Sequence, residues 1–147
     1  MKNLEIYENR EKLYAPVLKD LSLKKVDEKY YPENFGDFFV ELSSKEFSIR
    51  YSMDRLFLTI QIASNSFPSK WYDLSFIKNL INNADKINQR DDFNNSTRIN
   101  ELNKFLRNHF DRISELLNPN NYKQTFTELD KLLKEEFKCR FPGTLKD

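Results

Sequence analysis

The chain has 147 residues, of which 39% are hydrophobic and 32% are charged, which is enough material for one domain with a buried core. Its 24 basic residues face 23 acidic residues, so the formal net charge is only +1. Nucleic-acid-binding proteins usually carry a basic excess, because neutralising phosphates releases counterions. The composition therefore argues against nucleic-acid binding and predicts a single domain over residues 1–147.

Cysteine content and apolar runs bear on the compartment. The only cysteine, Cys139, has no second thiol for an internal disulfide, which is consistent with a reducing environment. No run approaches the roughly 20 apolar residues that a membrane helix needs. The first residues also lack the apolar stretch of a signal peptide. We expect a cytoplasmic protein without a membrane segment.

The first third of the chain combines a helical pattern with a polar stretch. Apolar residues recur at helical intervals from Leu4 to Leu21, which predicts a helix. Pro16 lies inside this pattern and predicts a kink or a division into two short helices. The polar segment from Lys24 to Gly36 contains Pro32 and predicts a connection without regular structure.

A period of two follows in three consecutive segments, Asp37–Leu42, Phe47–Met53 and Leu56–Ile62. Successive side chains of a strand point to opposite faces, so each segment presents one apolar row. The connections are too short for parallel crossovers, and this predicts an antiparallel three-stranded meander. The polar face of such a sheet can remain in water.

Helical periodicity returns after Asp73, which we expect to cap the helix that follows. The stretch from Thr97 to Leu117 has the clearest apolar stripe and predicts one helix. A last helix is predicted around Phe126–Phe137. It begins either with a capping box at Thr125 or earlier, with Asn118 as its cap. The predicted fold is α+β, a three-stranded antiparallel meander covered by an N-terminal helix and three C-terminal helices.

Residues with catalytic or metal-binding chemistry are few. A zinc-type site needs three or four ligands, whereas the chain offers only His109 and Cys139 as nitrogen and sulfur ligands. His109 falls on the apolar stripe of a helix, which favours a half-buried core histidine. Cys139 lies between two cations that could lower its thiol pKa, although a cysteine without a chemical role is the simpler interpretation. Two glycines cannot build a phosphate-binding loop. We therefore expect no metal, no cofactor and no enzymatic activity, while a carboxylate site drawn from separate segments stays open.

Aromatic and acidic residues in polar segments are the candidates for partner contacts. Trp71 and Tyr72 are either core residues or exposed anchors, and their size favours the core. Tyr30 and Tyr31 lie in the predicted connection. Asp91-Asp92 lies in a polar stretch, residues 85–96, that predicts a loop, and binding residues are often found on loops. We predict partner contacts at Tyr30, Tyr31, Asp91 and Asp92.

The segment from Asp37 to Leu80 resembles bacterial immunity proteins of polymorphic toxin and contact-dependent growth-inhibition systems. The shared pattern is a strand ending in Arg-Tyr, a turn with Asp, a third apolar strand, and a loop leading to Trp, Asp and a helix. In this chain those features are Arg50-Tyr51, Asp54-Arg55, Leu56–Ile62 and Trp71-Tyr72-Asp73. The resemblance covers about a third of the chain.

The resemblance implies a cytoplasmic protein that binds and neutralises a cognate toxin domain by stoichiometric protein–protein contact. Arg50, Asp54 and Asp73 would then be scaffold residues with turn and capping roles. Antidotes of basic nucleases are often acidic, whereas this chain is nearly neutral. Either the toxin is not strongly basic, or the acidic residues of this chain cluster on one face. Two alternatives stay open from the residues alone, a generic interaction or adaptor module and a small carboxylate-based enzyme.

Overall fold

The structure is a computed structural model that describes residues 10–34, 36–55, 57–82 and 96–140. These ranges contain five helices, α1 (Glu11–Asp20), α2 (Leu74–Asn82), α3 (Ser96–Asn108), α4 (Phe110–Leu116) and α5 (Tyr122–Arg140). They also contain five strands, β1 (Lys24–Tyr31), β2 (Asp37–Ser43), β3 (Phe47–Asp54), β4 (Phe57–Ser64) and β5 (Tyr72–Asp73). The α+β class is confirmed, but the prediction of three strands and four helices was wrong in number.

The strands form one antiparallel sheet in the order β1-β2-β3-β4-β5. Its three central strands are the predicted meander, with Tyr51 opposite both Val40 and Ile60. Because side chains alternate between the two faces, one face collects the apolar row. The buried members of that inner face are Phe38, Val40, Leu42, Phe47, Ile49, Tyr51, Met53, Leu58, Ile60 and Ile62.

Strand β1 replaces the connection that was predicted from its polar sequence. It pairs along its length with β2, with a register shift between Lys25 and Asp27, and most of its side chains are exposed. An edge strand that is largely solvated on both faces needs no apolar alternation, so the period-two signal is absent. Gly36, with φ of 74°, supplies the left-handed residue of the following turn.

Strand β5 and helix α2 are joined at the predicted cap. Asp73 Oδ1 accepts hydrogen bonds from the backbone N–H of Ser75 at 2.9 Å and from the Ser75 hydroxyl at 2.6 Å. This is the geometry of an N-cap residue, because a side-chain oxygen satisfies a backbone donor of the first turn. The predicted capping role of Asp73 is confirmed, and α2 begins at the next residue.

The other helices depart from prediction at their boundaries. Helix α1 continues through Pro16 and is not divided into two. The predicted helix from Thr97 to Leu117 is interrupted at His109, whose φ of -121° lies outside the helical range. A capping box at Thr125 is wrong, because the Thr125 hydroxyl donates to the carbonyl of Leu116 at 2.7 Å. Asn118 caps the turn that leads into α5, since its Oδ1 accepts two backbone N–H groups.

The helices pack against the inner face of the sheet. The ring of Phe110 in α4 lies 5.4 Å from that of Phe47 in β3. The buried hydroxyl of Ser64, at the end of β4, donates to the carbonyl of Leu117 at 2.7 Å.

No helix within the described ranges is long and apolar enough to cross a membrane. The inner face is therefore used for the core, and the opposite face of the sheet carries the side chains considered next.

Candidate functional site

The second face of the sheet, called here the outer face, is polar with scattered aromatic residues. Its central outward positions, such as Ser52, Thr59 and Gln61, stay partly exposed to solvent. The cross-strand register shows which side chains of neighbouring strands lie side by side on this face. Tyr31 is opposite Asp37, and Glu41 is opposite Arg50. The outer face consists of Asp27, Lys29, Tyr31, Asp37, Phe39, Glu41, Ser48, Arg50, Ser52, Asp54, Phe57, Thr59, Gln61 and Trp71.

Arg50 lies between two aromatic rings near the middle of the outer face. Its guanidinium carbon is 4.3 Å from the centroid of the Trp71 ring and 4.9 Å from that of Phe39. Both distances are within the range of cation–π attraction. We call Phe39, Arg50 and Trp71 the Arg50 stack. Two of its members come from the rigid strands β2 and β3, and Trp71 directly precedes β5.

The charge of Arg50 is paired but its hydrogen-bonding capacity is not filled. Nη2 donates to Oε1 of Glu41 at 2.9 Å, across the β2–β3 pair. Nε is buried and has no hydrogen-bond partner among the described residues. Its side chain retains 30% exposure. Arg50 is thus held in place by two rings and one carboxylate, and its side chain remains partly exposed on the outer face.

An open depression of about 280 Å³ adjoins the Arg50 stack at the end of the sheet where β1 turns into β2. Tyr31, Asp37, Phe39, Arg50 and Asp54 line it, among others. The volume is slightly below the roughly 300–1,000 Å³ of typical small-molecule pockets. The depression is open to solvent and has room for a side chain of another molecule.

The turn between β3 and β4 is fixed from this same end of the outer face. Arg55 has φ of 50°, a conformation that is uncommon for a residue with a side chain. Its backbone N–H donates to Oδ1 of Asp37 at 2.8 Å, which ties the turn to the first residue of β2. Asp54, which was expected at this turn, is the last residue of β3 and directly precedes Arg55.

The four predicted contact residues do not lie together on one surface of the described structure. Tyr31 lies on the outer face, is 36% exposed and lines the depression. Tyr30 points to the opposite side, where it is partly buried against the core. The structure brings Tyr31 together with Asp37 and Phe39, and it does not bring Tyr30 to that place. Asp91 and Asp92 lie outside the described residues.

Three other residues that the sequence singled out are also located. Trp71 is half-buried on the outer face, so the preference for a core position was wrong, whereas Tyr72 is buried in the core. His109 is half-buried at the break between α3 and α4, and its ring is 4.8 Å from that of Phe105. Cys139 belongs to α5, and its side chain lies outside the described part of the chain.

Sequence analysis missed Phe39 and Glu41 as site residues. One signal was present, because Phe39 is a large aromatic at an outward position of an otherwise alternating strand. The partner of that ring could not be identified, since Arg50 approaches it only through the pairing of β2 with β3. A large apolar side chain on a predicted solvent face is therefore the signal that would have indicated a binding surface.

The outer face brings aromatic, cationic and acidic side chains close together. In the described ranges no three or more His, Cys, Asp or Glu side chains are grouped so that they could hold a metal ion. The outer face instead combines aromatic rings with a guanidinium that is held in place. Aromatic residues and arginine are enriched at protein–protein interfaces. Comparisons of the chain with protein-family models, with curated proteins and with solved structures gave no match.

Proposed function

We propose that the protein is a cytoplasmic immunity protein that binds a cognate bacterial toxin domain through its outer face and neutralises it by stoichiometric contact. The Arg50 stack on the open face of the sheet is the observation that carries this proposal. Binding alone requires no catalytic group and no cofactor. The proposal is one of protein recognition, with the toxin domain as the partner.

The composition of the stack supports a role in binding. Trp, Tyr and Arg are the residues that most often dominate the energy of protein interfaces. Trp71 and Arg50 lie next to each other, and Tyr31 lines the adjoining depression. Side chains that are already held in place lose little conformational entropy when a partner docks, so they favour tight binding. Arg50 meets this condition because Glu41 and two rings hold it.

The residues of the family resemblance divide into two groups by their contacts. Tyr51 is fully buried and Asp73 caps α2, so both are assigned to the scaffold. Arg50 and Trp71 face outward and stack on each other, so they are assigned to the contact surface. This assignment changes the role of Arg50 from the scaffold role that the resemblance implied.

A growth assay tests the proposal. Where a large protein is encoded immediately upstream of this chain, its C-terminal domain is expressed in a bacterial host with and without the chain. We expect growth arrest with the toxin domain alone and growth when both are present. The variants Arg50→Ala and Trp71→Ala should fail to rescue growth. Leu133→Ser is the matched control, because Leu133 is an exposed apolar residue on α5, away from the outer face.

The toxin proposal fails if the upstream domain arrests growth and the chain does not relieve the arrest. It also fails if both stack variants rescue growth as well as Leu133→Ser does. Co-purification of the two proteins in a one-to-one ratio would support direct contact. Binding of a non-toxic protein by the same outer face would favour the alternative of an adaptor module.

A further inference from the structure

We propose that the depression beside the Arg50 stack receives an arginine or lysine side chain of the partner, so that the docked partner presents a basic surface. This inference deepens the proposed function and rests on it for the identity of the partner as a toxin domain. The site itself is argued from two carboxylates, two aromatic rings and the charge that surrounds them.

Two carboxylates face each other across the β2–β3 pair. Asp37 and Asp54 each lie one position beyond the paired residues Phe38 and Met53, and both line the depression. Like charges at opposed positions of an antiparallel pair destabilise the sheet. Asp37 uses one oxygen to accept the Arg55 backbone N–H, a neutral donor. Neither carboxylate forms an ion pair with a described cation. Both therefore have oxygens available to an external cation.

Two rings bound the same depression and suit the stem of a long cationic side chain. Tyr31 and Phe39 come from neighbouring strands, and both line the depression. A cation over an aromatic face gains electrostatic energy, and this gain increases when water is excluded. Lysine and arginine can lay their apolar stems along such rings while their charged ends reach a carboxylate.

The guanidinium of Arg50 is engaged by other groups. Arg50 also lines the depression, but its guanidinium is stacked between Phe39 and Trp71 and paired with Glu41. Asp37 and Asp54 thus have no ion-pair partner in the described part of the chain. Charge complementarity favours a basic partner surface, which speeds association and sets the docking orientation.

The test uses the isolated chain and a minimal probe, so it does not depend on finding the toxin. Acetyl-arginine-amide is titrated into the ¹⁵N-labelled protein and followed by NMR, with acetyl-citrulline-amide as the neutral isostere. We expect saturable shifts of the amides of Tyr31, Phe39 and Asp54, with a midpoint on the order of 10 mM. Citrulline should give no saturable shift at these residues.

Substitutions at the two carboxylates test whether arginine binds in the depression. Asp54→Asn should weaken arginine binding about threefold, because it removes one exposed ion pair between the protein and the ligand. The double variant D37N/D54N should weaken it further, and the asparagine that replaces Asp37 can still accept the Arg55 N–H. Asp27→Asn is the control, since Asp27 lies on the outer face opposite Glu41 and does not line the depression. Equal shifts with citrulline, or binding that the Asp54 and double variants do not change, overturn the proposal.

The two experiments separate the two proposals. Saturable arginine binding together with a failed growth rescue would retain the cation site and exclude the toxin as its partner. Growth rescue without arginine binding would retain the immunity function and exclude the cation site.

Discussion

The hydroxyl of Tyr51, in the centre of β3, donates a 2.6 Å hydrogen bond to Oδ1 of Asn103, 52 positions later in α3. The amide of Asn103 in turn donates to the backbone carbonyl of Leu13 in α1 at 2.6 Å. Burial raises the pKa of Tyr51 far above its ordinary value, so its hydroxyl stays a neutral donor. One buried asparagine therefore connects the sheet to two helices.

Removing this bond should destabilise the fold. Tyr51→Phe leaves the buried Oδ1 of Asn103 without its donor and should cost about 1–3 kcal/mol in the free energy of unfolding. Asn103→Ala leaves both Tyr51 and the Leu13 carbonyl unpaired and should cost more, about 2–4 kcal/mol. Urea unfolding measures both values. Tyr122→Phe is the control, because the Tyr122 hydroxyl makes no hydrogen bond to the described residues. A cost for Tyr51→Phe equal to that of the control would contradict the argument.

Thr125 and Thr127 in α5 form a matched pair for a second prediction. The hydroxyl of Thr125 is buried and donates to the carbonyl of Leu116 at the end of α4. The hydroxyl of Thr127 is exposed and donates within its own helix to Lys123. Thr125→Val should cost about 1–3 kcal/mol because it leaves a helix-end carbonyl unsatisfied. Thr127→Val should change stability by less than about 0.5 kcal/mol. Thermal and urea unfolding of the two variants would show whether this difference exists.

Glu28 should contribute a pH-dependent part of stability. Its hydrogen bond with Arg10, assisted by Lys25 at 3.0 Å, holds the pKa of the Glu28 carboxyl below its ordinary value of 4.5. A carboxyl with a lowered folded pKa stabilises the fold above its unfolded pKa, and this contribution is lost as pH falls through the folded pKa. Glu28→Gln should therefore cost about 0.5–1 kcal/mol at pH 7. The difference from the parent protein should shrink steadily below pH 4.5.

Stability curves of both proteins between pH 7 and the acid limit of folding would measure that dependence. Asp27→Asn provides the control on the same strand. The Asp27 side chain accepts the backbone N–H of Glu28 at 2.8 Å, and asparagine can replace it there. A Glu28→Gln difference that stays constant with pH would show that the ion pair is not its source.

The single tryptophan gives a direct measurement of the Arg50 stack. Because Arg50 covers one face of the Trp71 ring, Arg50→Ala should increase quenching of tryptophan fluorescence by acrylamide. The cost to stability should stay within about 1 kcal/mol, since the cation–π contact is partly exposed. Arg55→Ala, on the neighbouring turn, should leave the quenching unchanged. Unchanged quenching in Arg50→Ala would mean that the ring and the guanidinium are not stacked in solution.

The central sheet and the helices were predictable because their burial is regular. Strands β2, β3 and β4 alternate buried and partly exposed residues along most of their length. Asp73 was predictable as a cap because aspartate is one of the residues preferred at the N-cap position. Strand β1 was missed because an exposed edge strand leaves no apolar pattern. The break at His109 was missed because the apolar stripe continues on both sides of it, from Leu106 to Ile113.

The sequence by itself determined the α+β class, the antiparallel meander and the side of its three strands that enters the core. Those features depend on local periodicity, which the order of residues contains directly. Only the tertiary structure decided that Phe39, Arg50 and Trp71 form one stack and that Tyr31, Asp37 and Asp54 share one depression. These residues come from β1, β2, β3 and the segment before β5. They come together through strand pairing, whose register depends on the hydrophobic pattern of the strands and on the turns between them.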